Sequence, residues 1–252
     1  MPVPTDISGL MLWLKADGTL WQDSARTTPA TSDGDPVGAW DDASGNGDHY
    51  TQTNNDKRPA LRTSVLNSLP VVRFDGTDDQ LHGPDHLSGL TAGTIFCVVK
   101  IDNDPPAQDM FSGLWRFSSA ADSVHYPYTD GNWYESFGST VRKSTGNPTL
   151  ALTDWRVIGV TSASGAWEAF IDGSSHYSTA SNSVGFDSTP KFGVSGNEAY
   201  FLDGDIAELI IYDTSLSSGD RISIQNYLNA KYFGIVSGGN RRRRVLLCGS
   251  AA

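Results

Sequence analysis

Several things are scarce in this sequence, and each scarcity excludes something. Two cysteines occur in 252 residues. Cys97 lies inside the apolar run Ile95-Phe96-Cys97-Val98-Val99 and Cys248 near the end, which is no basis for a disulfide framework, so both are expected as free thiols. The five histidines are scattered. His82 and His86 have the spacing of ligands on a helix, but Gly83-Pro84 between them forbids that helix and leaves them in a loop. Neither His-Glu-x-x-His nor Cys-x-x-Cys occurs, so no transition metal is implied. Glutamate stands only at 135, 168, 198 and 208, which leaves little material for a pair of carboxylates flanking a glycosidic bond. No stretch approaches about eighteen apolar residues, so no membrane span is expected. The start, Met1-Pro2-Val3-Pro4-Thr5-Asp6, lacks a basic region followed by an apolar core, so synthesis without a signal peptide is expected.

Positive charge is also in short supply. Eighteen Lys and Arg face 29 Asp and Glu, for a formal charge of −11. Four of the arginines stand together at 241–244 with no acid after them, so the rest of the chain is more acidic still. Such a body repels nucleic acid, and a nucleic-acid partner is not expected. Most of the acids are aspartates, whose usual work in turns is to accept backbone amide hydrogen bonds.

What is present reads as a β domain. A chain of this length can bury roughly 70–75% of its unfolded surface around one core. The 26 glycines and 12 prolines are spread along the chain, as many turns require. Leu10-Met11-Leu12-Trp13-Leu14 predicts a strand covered on both faces. Pro70 to Gly76 predicts a short strand ending in an Asp-Gly turn. Thr94 to Ile101 alternates, with Ile95, Cys97, Val99 and Ile101 on one face and Phe96 and Val98 on the other, so both faces must be covered. Trp155 to Val160 and Trp167 to Ile171 form a further pair, and Asp172-Gly173 signals a hairpin turn.

Phe201 to Asp213 predicts a buried strand, and a helix follows it. Ser217 with Asp220 three residues on resembles a capping box, and Gly234 just past Tyr232 supplies the stop. Ile224, Tyr227, Leu228 and Lys231 have helical spacing and predict one packed stripe. Period-two alternation puts Glu208 on the same face as Ile206 and Ile210, where an unpaired carboxylate is costly. A buried arginine is the expected partner, with Arg73 and Arg156 as the candidates.

Four separated segments carry a family resemblance: Trp40 to Gly47, Arg73 to Leu81, the Trp155 strand, and Phe201 to Tyr232. Together they resemble the concanavalin A-like lectin/glucanase superfamily, in its laminin G-like branch, over about residues 7–234. The resemblance implies an all-β jelly-roll sandwich of two antiparallel sheets with one C-terminal helix. It divides the chain into a lectin-like domain, 1–236, and a basic, then apolar, arm, 237–252. Similar domains occur in bacterial surface proteins and in bacteriophage virions. The function expected by that analogy is a non-enzymatic virion structural protein, a capsid decoration or tail adhesin able to bind glycans. The alternative is a carbohydrate-binding accessory module, or a glycoside-active enzyme, of a bacterial surface protein. Glucanases of this fold carry Glu-x-Asp-x-x-Glu on one strand, and none of the four glutamates begins that pattern, so no enzyme is expected.

Three candidate sites follow. Tyr126, Tyr128, Asp130, Asn132, Trp133 and Tyr134 are the glycan-binding candidates, because aromatic faces stack on sugar rings while Asp and Asn bond hydroxyls. The competing reading is that Asp130-Gly131 turns a hairpin whose aromatics pack on neighbouring strands. Asp75, Asp78 and Asp79 place three carboxylates within five residues, and some laminin G-like domains hold calcium in this way; the competing reading is a turn with capped amides. No other cofactor is expected. Arg241, Arg242, Arg243, Arg244, Val245, Leu246 and Leu247 read as an assembly arm that docks on other virion subunits, within a homo-oligomer or larger assembly.

Overall fold

The computed structural model describes residues 2–120, 124–196 and 198–235. The arm at Arg241 to Leu247, and Cys248 with it, lie outside the described residues.

Two antiparallel sheets face one another. The larger has eight strands in the order Ser174–Thr179, Ala166–Ile171, Arg156–Ala163, Ala92–Ile101, Asp203–Tyr212, Leu69–Asp75 and Ala60–Leu66, with Leu10–Lys15 also paired to Asp203–Tyr212. The smaller has six, in the order Leu20–Trp21, Ala39–Trp40, Tyr50–Thr51, Leu81–His82, Phe186–Phe192 and Trp115–Ser118. The helix Ser218–Phe233 lies on the outer face of the larger sheet.

The alternation of Thr94 to Ile101 explains how the larger sheet serves two cores. Ile95, Cys97, Val99 and Ile101 enter the cluster between the sheets, with Trp40, Trp115, Phe192 and Ile206. Phe96 and Val98 enter a second cluster under the helix, with Val71, Phe170, Ile210, Ile224, Leu228 and Tyr232. Cys97 is a free, fully buried thiol, and desolvation pushes its pKa far up, so it is inert packing. The helix has the caps its sequence requires. The Ser217 hydroxyl accepts from the Asp220 amide at 3.2 Å, and Gly234 takes the left-handed conformation at φ 63°.

The strand Asp203–Tyr212 departs from strict alternation. Its first part, 203–206, pairs with Leu69–Asp75, and from Glu208 onward it pairs with Leu10–Lys15. A register shift between Ile206 and Glu208 marks the change of neighbour. Ile206 consequently faces the sandwich core, while Ala207, Glu208 and Ile210 turn toward the helix. Glu208 and Ile206 therefore do not share a face, because an extra residue in a strand resets its parity.

The expected arginine partner of Glu208 is also corrected. Glu208 Oε2 accepts from Lys231 Nζ and from the Tyr232 hydroxyl, both at 2.7 Å, and Oε1 accepts from Trp13 Nε1 at 2.6 Å. Arg73 instead makes a two-pronged pair with Asp205, at 2.7 and 2.6 Å, because the two stand opposite each other in register. Arg156 bridges Asp154 and Asp172, each at 3.1 Å. Among the described residues, no helix is long and apolar enough to cross a membrane.

Candidate functional site

Residues 125–134 form a tight hairpin. His125 and Tyr134 exchange backbone hydrogen bonds of 2.9 and 3.0 Å, and the Gly131 amide donates to the Tyr128 carbonyl at 2.9 Å. Gly131 takes φ 80°, which the turn needs and a Cβ would strain. The Asp-Gly hairpin weighed in the sequence is present, and it sorts the six candidates into two groups.

Tyr126 and Trp133 point inward. Tyr126 is 1% exposed and Trp133 fully buried, their rings meet edge to face at 5.4 Å, and Trp133 stacks on His176. Neither can reach a sugar, because the hairpin uses them to anchor itself to the core. Below Trp133 lies Glu135, also fully buried. Its carboxylate accepts from the indoles of Trp115 and Trp133 at 3.1 and 3.2 Å and from the amides of Ser136 and Phe137 at 2.8 Å. Desolvation raises its pKa, and the four donors offset that rise only in part. It is an internal clasp.

The other four gather at the surface. Tyr128, Asn132 and Tyr134 are half-buried and Asp130 is exposed. Asp130 organises the turn: it accepts from the Asn132 amide and side chain and from the Tyr134 hydroxyl, each at 2.8 Å. Those hydrogen bonds draw its pKa down against a desolvation that raises it, so it stays ionised. The rings of Tyr128 and Tyr134 meet edge to face at 6.0 Å. His125 sits beneath, 4.7 Å from Tyr128 and 4.6 Å from Tyr200, and Arg142 lies over Tyr134 at 4.8 Å.

Tyr200 was missed in the sequence. It arrives from the short strand Tyr200–Phe201, far along the chain, and carries no local signal. The combined surface is a platform of three half-buried tyrosines around one histidine. Ser112 fixes that histidine: its hydroxyl donates to the Asp109 carbonyl, and its oxygen lies 2.8 Å from His125 Nδ1, in place to accept from it. Burial first, and Arg142 second, lower the His125 pKa to about 4, so the ring is neutral at physiological pH.

Asp75, Asp78 and Asp79 do come together. One carboxylate oxygen from each lies within 4.8 Å of the others. Part of the competing reading holds as well, since the Thr77 amide donates to Asp75 at 2.8 Å and the Asp75 amide donates to Asp79 at 3.0 Å. Burial, with Asp75 and Asp78 nearby, pushes the Asp79 pKa up to about 7. All-oxygen donors with crowded negative charge fit a hard divalent cation such as calcium.

Residues 75–220, more than half of the chain, match the family model for the concanavalin A-like lectin/glucanases superfamily, of laminin G type. The chain belongs to that superfamily. No curated protein sequence matches this lectin/glucanase-fold chain. Several solved structures share its fold. A Trypanosoma rangeli sialidase in complex with sialic acid is 13% identical with a TM-score of 0.57, over 87% of this chain and 33% of the sialidase. Domain 4 of an extracellular arabinanase from Geobacillus stearothermophilus, in complex with arabinotriose, is 15% identical with a TM-score of 0.53, over 86% of this chain and 98% of that domain. The binding domain of Paraclostridial Mosquitocidal Protein 1 is 16% identical with a TM-score of 0.59, over 90% and 54%. The chain thus spans about a third of the sialidase.

These structures correct the expectation that the chain is no enzyme. A sialidase and an arabinanase carry the same fold, so the absence of Glu-x-Asp-x-x-Glu does not set this chain apart from glycoside hydrolases. At such low identity the likeness carries the fold and transfers no catalytic residue.

Proposed function

We propose that this lectin/glucanase-fold domain binds carbohydrate as an accessory part of a glycoside-active protein. The observation that supports this best is the surface platform of Tyr128, Tyr134 and Tyr200 around neutral His125. Half-buried tyrosine rings suit the C–H side of a sugar ring, and the hydroxyls of Tyr128 and Tyr200 can hydrogen-bond it, while the Tyr134 hydroxyl serves Asp130 and its ring carries Arg142. The hairpin pre-orders the platform through Asp130, which lowers the cost of ordering on binding.

The solved relatives favour this accessory role, since the chain matches nearly the whole of one arabinanase domain, itself seen with arabinotriose. They give no support to placement in a virion. Asp75, Asp78 and Asp79 would hold a structural calcium at their turn, where the ion would neutralise crowded carboxylates. A glycan array together with calorimetry on arabinotriose tests the proposal. Binding that is lost in Tyr128→Ala and Tyr200→Ala is expected; no binding to any array glycan refutes it.

A further inference from the structure

The helix covers the outer face of the eight-stranded sheet incompletely. Between its N-terminal half and the Asp172-Gly173 turn there is a cavity of about 390 Å³, within the range of small-ligand sites. Its floor is Phe96 and Phe170, whose rings lie 5.4 Å apart. Its walls carry Glu168, Arg221 and Gln225, and Ser174 and Ser175 stand where the strand after the turn begins.

Gln225 is the telling residue. It is 7% exposed, and its Nε2 donates to Asn229 Oδ1 at 3.0 Å. Its Oε1 has no partner. A buried acceptor left without a donor is costly, and native proteins rarely keep one. The turn holds the side chain in place, since a Cβ on Gly173 would sit 3.2 Å from Gln225 Cγ.

The charged groups of the cavity are already matched. Arg221 lies 3.3 Å from Glu168 and over the Phe170 ring at 5.6 Å, and Asp172 is paired with Arg156 at 3.1 Å. A charged guest would therefore enter without an unpaired counter-charge to meet it. What fits is neutral, small, apolar on one side and able to donate a hydrogen bond.

We propose that this cavity binds one neutral sugar residue, with a hydroxyl donating to Gln225 Oε1 and its apolar side toward the floor of Phe96 and Phe170. The site is separate from the tyrosine platform, which belongs to loops packed on the sandwich core. It does not depend on that platform binding anything.

The test is an NMR titration of the full chain with D-glucose, D-galactose, L-arabinose, N-acetylglucosamine and D-glucuronate as separate probes. Saturable shifts of the Gln225 side-chain amide and of the Gly173 and Arg221 backbone amides are expected with at least one neutral sugar. Gln225→Met, which keeps the packing and removes the acceptor, should weaken them about tenfold. Ser175→Trp, exposed in the strand Ser174–Thr179 just after the turn, should block the cavity and abolish them. Tyr128→Ala should leave them unchanged, which separates this site from the platform. Silence at Gln225 with all four neutral sugars, shifts that survive both Gln225→Met and Ser175→Trp, or glucuronate binding as tightly as glucose would overturn the proposal.

Discussion

Lys231 Nζ lies 2.7 Å from Glu208 Oε2, joining the closing helix to the last strand where that strand changes neighbour. Lys231 also reaches Asp17 at 2.7 Å, so one cation ties the helix to the sheet and to the turn after the first strand. Glu208 is fully desolvated at its side chain, and its other donors, Trp13 and Tyr232, are neutral.

Removing that cation leaves a buried carboxylate without a counter-charge. Lys231→Met should therefore cost about 3 kcal/mol of folding stability. Glu208→Gln should cost less, about 1 kcal/mol, because an amide oxygen in the place of Oε1 still accepts from Trp13, the Tyr232 hydroxyl can turn to accept from the amide NH2 in the place of Oε2, and Lys231 keeps Asp17. Urea midpoints of the two variants measure this, and equal losses would show that the pair's charge is irrelevant.

Acid should weaken the fold through His125. Its folded pKa, about 4, lies below the ordinary 6.5, so between those values the unfolded chain takes up a proton that the folded one refuses. The contribution is full above pH 6.5 and is lost as pH falls toward 4. His82, His86 and His176 are lowered in the same direction, mainly by burial, and add to the slope. His125→Asn should flatten the dependence of the denaturation midpoint on pH across this window, and an unchanged slope would remove His125 from the account.

Calcium should raise the melting temperature of the domain through Asp75, Asp78 and Asp79. The effect should vanish in Asp79→Asn, which removes the carboxylate that burial, with Asp75 and Asp78 beside it, already pushes toward protonation. Identical melting with calcium and with chelator would dispose of the ion.

The two-sided strand at Thr94 to Ile101 and the capped helix were legible because each obeys a local period that the packing keeps. Glu208 was not, because a single register shift after Ile206 changes every parity beyond it and no local residue announces the shift. The tyrosine platform was half legible. Trp133 and Glu135 share the inward face and Tyr134 the outward one, a period of two that the residue types alone could have suggested. Tyr200 comes from a distant strand and only the fold supplies it.

Trp133→Ala and Tyr200→Ala should separate stability from binding. The first opens the core and should cost about 3–5 kcal/mol. The second trims a half-buried ring and should leave the fold nearly as stable as before.

The most direct measurement is the affinity of the Tyr128→Ala, Tyr200→Ala double variant for the glycan bound best by the unaltered protein, taken alongside its thermal melt. The account predicts loss of binding with an intact, cooperative melt. Undiminished affinity in a folded double variant would contradict it.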